Sequence, residues 1–289
     1  MQKYALLHAM LVAERVITNA DVHEPAEAEW ESIALAHDPE YVAKLRDGTL
    51  SIAEERRIGF PWSAALLRRA RLAVQGTIDA AVMAIESPHR IAGNLAGGTH
   101  HALPDAGEGY CALNDVSIAV RWLRREGFIG RALVCDLDVH HGNGNAVAFA
   151  ADDGTFTFSM HGARNFPLRK PPSSLDIPLE DGTNDDRYLE LLSTHLPRTL
   201  DDFRPELVFF LAGVDVVAGD RFGRLALTEA GLARREHLVI KEVAGRGIPL
   251  CIVLAGGYAP TPVRTAELHA VVFREVERWL GSGRFARGG

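Results

Sequence analysis

A single α/β domain, with a mostly parallel central sheet and helices on both faces, is predicted by three observations. Five short apolar runs lack the in-and-out alternation of a half-solvated strand. Stretches with apolar residues at helical spacing separate them. Glycine and ionisable residues stand directly behind several of the runs, where a wound parallel sheet places its ligands.

The apolar runs are 91–96, 132–137, 155–160, 207–212 and 250–255, and each is short enough to be a buried strand. The first helix, 63–86, follows Pro61. The second, 116–126, begins behind a capping Asn114 or Asp115 and stops at Gly127. Helices 186–200 and 229–245 take Asn184 and Thr228 as caps, and 263–280 closes the set. The proline-rich stretch 167–178 reads as an ordered surface loop.

Composition narrows the function classes. The 289 residues are 47% hydrophobic and 24% charged, ordinary for a globular chain with a sizeable core. A net charge of −7 gives no electrostatic footprint for nucleic acid, so no direct nucleic-acid partner is expected. No run approaches eighteen apolar residues, and MQKYALLHAM carries no signal-like core, so neither a membrane span nor a signal peptide is expected. Three scattered cysteines without a CxxC pair fit reduced thiols and a cytoplasmic location.

The unusual residues converge. Gly97-Gly98-Thr99-His100-His101 follows the first run, and the second leads into Asp136-Leu137-Asp138-Val139-His140-His141-Gly142-Asn143-Gly144. Gly213-Val214-Asp215 follows the fourth and Gly256-Gly257-Tyr258 the fifth. Taken singly, a His-His pair is more often a surface or satisfied core feature, and a lone Asp215 is more often a turn residue. Four such segments on one sheet edge are a stronger signal. Residues two apart on extended chain face the same side, so Asp138 and His140 can grip one cation, and Asp215 can add a third ligand. Three protein ligands with open positions make a catalytic rather than a structural zinc site; ferrous iron also suits two carboxylates and an imidazole. Asp136 shares the side of Asp138, and meets the metal from behind or bonds a neighbouring histidine.

These segments, together with Gly98-Thr-His-His-Ala102, Gly109-Tyr-Cys-Ala-Leu-Asn-Asp115 and Gly213-Val-Asp-Val-Val-Ala-Gly-Asp220, resemble the histone deacetylases of the arginase/deacetylase fold from about His37 to Val271. Asn143, the 213–220 run and Gly256-Gly257-Tyr258 look most like the class IV branch and its bacterial relatives. The resemblance implies one catalytic domain over 1–289 and a metal-dependent amidohydrolase acting on acyl-lysine in proteins or peptides. It implies Asp138, His140 and Asp215 as zinc ligands and His100 and His101 as the proton-transfer histidines. Tyr258 matches the oxyanion donor, and Asp136 the acid that orients His100. Tyr110 and Phe166, with Gly109 and Gly256, match the substrate channel. Asp136, Asp138, His140, Ser159 and Met160 match a monovalent cation site, usually potassium.

Three departures carry expectations. Many relatives have Asp at the Asn143 position, so His101 should be less basic here and the pH optimum different. Relatives usually carry an extra strand before the first helix, so the fold is trimmed or its start lies upstream. The loop 164–174 is basic and proline-rich beside Phe166. The alternatives are acylated small amines such as acetylpolyamines, or long fatty acyl groups on lysine. A silent acyl-lysine binder would not need Tyr258 and His101, and a two-manganese ureohydrolase would need more carboxylates.

Overall fold

The computed structural model describes residues 2–282. Its six strands, all parallel, are β1 (Ile91–Asn94), β2 (Ala132–Asp136), β3 (Thr155–Gly162), β4 (Leu175–Leu179), β5 (Leu207–Leu211) and β6 (Leu250–Val253), in the spatial order β1-β6-β5-β2-β3-β4. The helices are α1 (Gln2–Ala13), α2 (Trp30–Ile33), α3 (Pro39–Asp47), α4 (Ile52–Ile58), α5 (Ala64–Glu86), α6 (Asp115–Arg125), α7 (Asn143–Ala148), α8 (Asp185–Phe203), α9 (Glu229–Ala244) and α10 (Pro262–Gly281).

The central strands β2, β5 and β6 are fully buried and almost wholly apolar because both faces are covered. Leu133 and Cys135 of β2, Val208 and Phe210 of β5, and Leu250 and Ile252 of β6 pack with Tyr188, Leu192, Leu232, Val239 and Leu268 of α8–α10. Their alternates, Ala132 and Val134, Phe209 and Leu211, and Cys251 and Val253, pack with Val74, Ile78, Val116 and Val120 of α5 and α6. Successive side chains on a strand point to opposite faces, so two cores share one sheet.

All five expected strands and all five expected helices form, with ends moved by a few residues. The caps act as expected. Asn114 accepts from the Ser117 amide, Asn184 from Arg187 and Thr228 from Gly231. The stretch 167–178 departs from its loop reading, because its end enters β4, where Asp176 pairs with Ser159 and Pro178 with His161. At an outer edge, Pro178 leaves no central ladder bond unmade. β1 stands at the opposite end of the order and is only half-buried.

Topology selects the site. From β2 the chain steps outward through β3 and β4, then returns to the other side of β2 as β5. The winding reverses between β2 and β5, and the carboxyl ends of those two strands flank the crevice where ligands bind in such sheets.

Candidate metal and acid–base site

The segments behind β2 and β5 meet in that crevice. One ligand atom each from Asp138, His140 and Asp215 lie within 4.8 Å of one another. His140 Nδ1 is 2.9 Å from Asp138 Oδ1 and 3.3 Å from Asp215 Oδ2. Backbone donors hold the carboxylates: the Val139 amide reaches Asp215 Oδ1 at 3.0 Å and the Gly256 amide reaches Asp138 Oδ2 at 2.6 Å. Glycine is required at 256, where a Cβ would stand 2.0 Å from Asp215 Oδ2.

This donor set fits a divalent cation. Asp138 and Asp215 are both fully buried, and Asp215 Oδ2 finds no aligned hydrogen-bond donor. Burial, followed by the charge of Asp138, pushes the Asp215 carboxyl up to about 6. Against its own desolvation, the neighbouring carboxylates of Asp138 and Asp215 raise His140 to about 10. Two enclosed carboxylates this close call for positive charge between them.

The two neighbouring histidines have unlike partners. His100 Nδ1 is 2.6 Å from Asp136 Oδ2, and His101 Nδ1 is 2.6 Å from Asn143 Oδ1. Their ring centroids are 4.1 Å apart. Desolvation opposes charge on His100, but Asp136 and then Asp138 outweigh it and lift the group to about 9. His101 lies well below the ordinary imidazole range, first through burial and then through His100 and His140. The hydrogen bond with Asn143 acts in the opposite direction, favouring the protonated ring, but is outweighed by burial and the two neighbouring imidazoles.

Asn143 is itself oriented. Its Nδ2 donates to Glu108 Oε2 at 3.0 Å, which turns Oδ1 toward His101, and Arg57 stands 3.4 Å from the same carboxylate oxygen. Asp115 anchors the His100–His101 loop, its carboxylate accepting from the amides of Gly98 and Thr99 and from the hydroxyls of Thr77 and Thr99.

Tyr258 lines the same cavity as His100, His101, Asp138 and His140, and its phenol is raised by burial and then by Asp215 and Asp138. Phe222 meets its ring edge-on at 4.9 Å, and Tyr110 lies at 6.3 Å. Phe166 meets His101 edge-on at 5.0 Å, Tyr110 lines the cavity, and both rings are partly exposed. Gly109 lets the backbone pass His101, since a Cβ there would stand 2.6 Å from the imidazole.

The segment implied for a monovalent cation is less convergent in its side chains. Ser159 lies opposite Asp136 in the β2–β3 register, but its hydroxyl contacts His161 Nδ1 at 2.9 Å. The Met160 side chain is in the apolar core, which leaves only its backbone carbonyl for such an ion.

Two residues at the site were missed in the sequence. Lys3 of α1 lies 3.5 Å from the Ala255 carbonyl and 5.8 Å from the Tyr258 ring centre, with its pKa lowered by burial. Arg235 of α9 is fully buried, paired with Glu236, and donates to the carbonyls of Leu137 at 3.0 Å and Gly213 at 2.8 Å. It thus ties together the two strand ends that carry Asp138 and Asp215. A lone lysine or arginine on a helix gives no such signal, because its partners come from distant segments.

Comparison with known proteins agrees with this geometry. A family model for the histone deacetylase domain matches residues 1–273, extending the likeness seen from His37 back to the first residue. An uncharacterised protein of Picosynechococcus is 45% identical over 274 residues, covering 95% of this chain and 89% of its own. Histone deacetylase 2 of Arabidopsis thaliana is 28% identical over 271 residues, 91% of this chain and 70% of that protein. The crystal structure of an HDAC homolog from Aquifex aeolicus superposes with a TM-score of 0.79 at 26% identity, covering 94% of this chain and 77% of the other.

Proposed function

The chain belongs to the histone deacetylase family, and from that premise we propose that it is a zinc-dependent deacylase hydrolysing the amide of N-acyl-lysine in proteins or peptides. The observation that carries the reading is the meeting of Asp138, His140 and Asp215 beside two histidines whose basicities are driven apart.

Asp138, His140 and Asp215 would hold the ion. When bound, zinc supplies Lewis acidity toward the amide carbonyl and toward the attacking water. His101, unprotonated at neutral pH, takes the proton of that water and then returns it to the departing amine. His100, kept protonated by Asp136, stands beside it as a fixed positive charge. Tyr258 stays a neutral phenol and donates its hydrogen to the developing oxyanion. Tyr110 and Phe166, with the close-packed backbone at Gly109 and Gly256, flank the lysine stem. A potassium ion bounded by Asp136, Asp138, His140, Ser159 and Met160 belongs to the same reading.

A cavity of about 1550 Å³ supports a second reading, in which long acyl groups are accepted. It is lined by His140 and Tyr258 and also by the apolar Tyr4, Ile17, Leu95 and Phe273. A panel of acetyl- and myristoyl-lysine peptides, run with and without a chelator, tests both. Turnover that vanishes with the chelator is expected, and a zinc-loaded protein inert toward the whole panel would sink the deacylase reading.

A further inference from the structure

A second set of metal-ligating side chains lies outside the site described above. His141 follows His140 directly, His161 is on β3 and Asp176 is on β4. One ligand atom of each lies within 4.8 Å of the others. We propose that His141, His161 and Asp176 bind a second divalent ion of the zinc class, independently of Asp138, His140 and Asp215.

The topology brings these donors together on stiff elements. Ser159 and Asp176 are partners in the parallel β3–β4 register, and His161 is two residues beyond Ser159, so all three share one face of the sheet. His141 arrives from behind β2, and its ring meets His161 edge-on with centroids 4.7 Å apart. His141 Nε2 stands 3.1 Å from Asp176 Oδ1, about the separation of two donors on one ion with ~2.0–2.1 Å bonds. The Ser173 hydroxyl, 3.2 Å from the same nitrogen, adds an oxygen at the edge of the group. Two imidazoles and a carboxylate suit zinc or cobalt better than calcium or magnesium, which prefer oxygen ligands throughout. Both histidines are buried while Asp176 is partly exposed, which gives an ion a way in from solvent.

A hydrogen-bonded staple is the alternative account of these side chains; it and an ion held at Nε2 both leave His141 Nδ1 buried without a partner, so uptake of metal decides between them. An ion here would also reach the channel wall, because the His141 amide donates to the Phe166 carbonyl at 3.2 Å. The ion would thereby fasten β3, β4 and the loop behind Phe166 to one another.

The test is a metal count on the full chain with zinc ion alone as the probe, read by calorimetry and by elemental analysis after desalting. The wild-type protein takes up two equivalents, and Asp138→Ala takes up one. Asp176→Asn, which keeps the shape of the side chain and therefore the fold, loses affinity for one equivalent by at least about tenfold. His161→Gln does the same. Turnover of an acyl-lysine peptide at one equivalent of zinc persists in Asp176→Asn, so loss of this site is told apart from failure of the deacylase reading. A wild-type protein that saturates at one equivalent overturns the proposal. So does a second equivalent that survives unchanged in both Asp176→Asn and His161→Gln.

Discussion

His100 and His101 are neighbours in sequence, equally enclosed, and opposite in charge preference. The His100 half of the site ends in a carboxylate, Asp136, and its imidazole is lifted to about 9. The His101 half ends in an amide, Asn143, and its imidazole sits well below the usual range. Burial pushes both downward; the charges of Asp136 and Asp138 outweigh it at His100, whereas the nearby His100 and His140 add to it at His101, where the bond to Asn143 compensates too little. One scaffold thus offers a fixed positive charge and a vacant base 4.1 Å apart between ring centres.

Four substitutions break or sharpen that contrast. The largest effect is expected for His101→Ala, which removes the group assigned both proton transfers and should lower kcat by about 10²–10⁴ on an acyl-lysine peptide. A loss no greater than that of His100→Ala would dissolve the division of labour. Asp136→Asn comes next. It removes the charge that holds the proton on His100, so the imidazole pKa falls and the alkaline limb of the pH–rate profile moves to lower pH. An unmoved limb would show that Asp136 does not act through His100.

Asn143→Asp erases the asymmetry from the other side. A carboxylate behind His101 favours its protonated form, so its pKa rises. The base is then lost at a higher pH than in the wild type, and the acidic limb shifts upward. A shift downward, or none, would contradict the assignment of that limb to His101. Glu108→Gln should matter least. The amide oxygen still accepts from Asn143 Nδ2 and keeps Oδ1 aimed at His101, so kcat is expected to change by less than about threefold. A hundredfold loss in steady-state assays would give Glu108 a direct part in catalysis.

The strand ends were the legible part of this molecule. Buried parallel strands are apolar without alternation, and ionisable residues behind them stand out against that background. Asp138 and His140 could be grouped before any geometry was known, because extended chain fixes the side on which residues two apart must lie, and Asp215 could join them from the end of another strand. β4 was hidden for the opposite reason. As a half-exposed edge strand containing Asp176 and Pro178, it satisfies neither the apolar nor the alternating pattern. The short helices α2–α4 and α7 carry few turns each, too little for a periodic signal, and α1 spreads its apolar residues around its whole circumference. Arg235 was illegible because its meaning lies in the carbonyls of Leu137 and Gly213, which are 98 and 22 residues away.

β4 also shapes how the molecule meets its neighbours. It closes one flank of the sheet, and its exposed Pro178 carries no amide hydrogen. Another extended polypeptide arriving there finds a gap in the row of donors it would need, so growth of the sheet by strand addition is discouraged on this side.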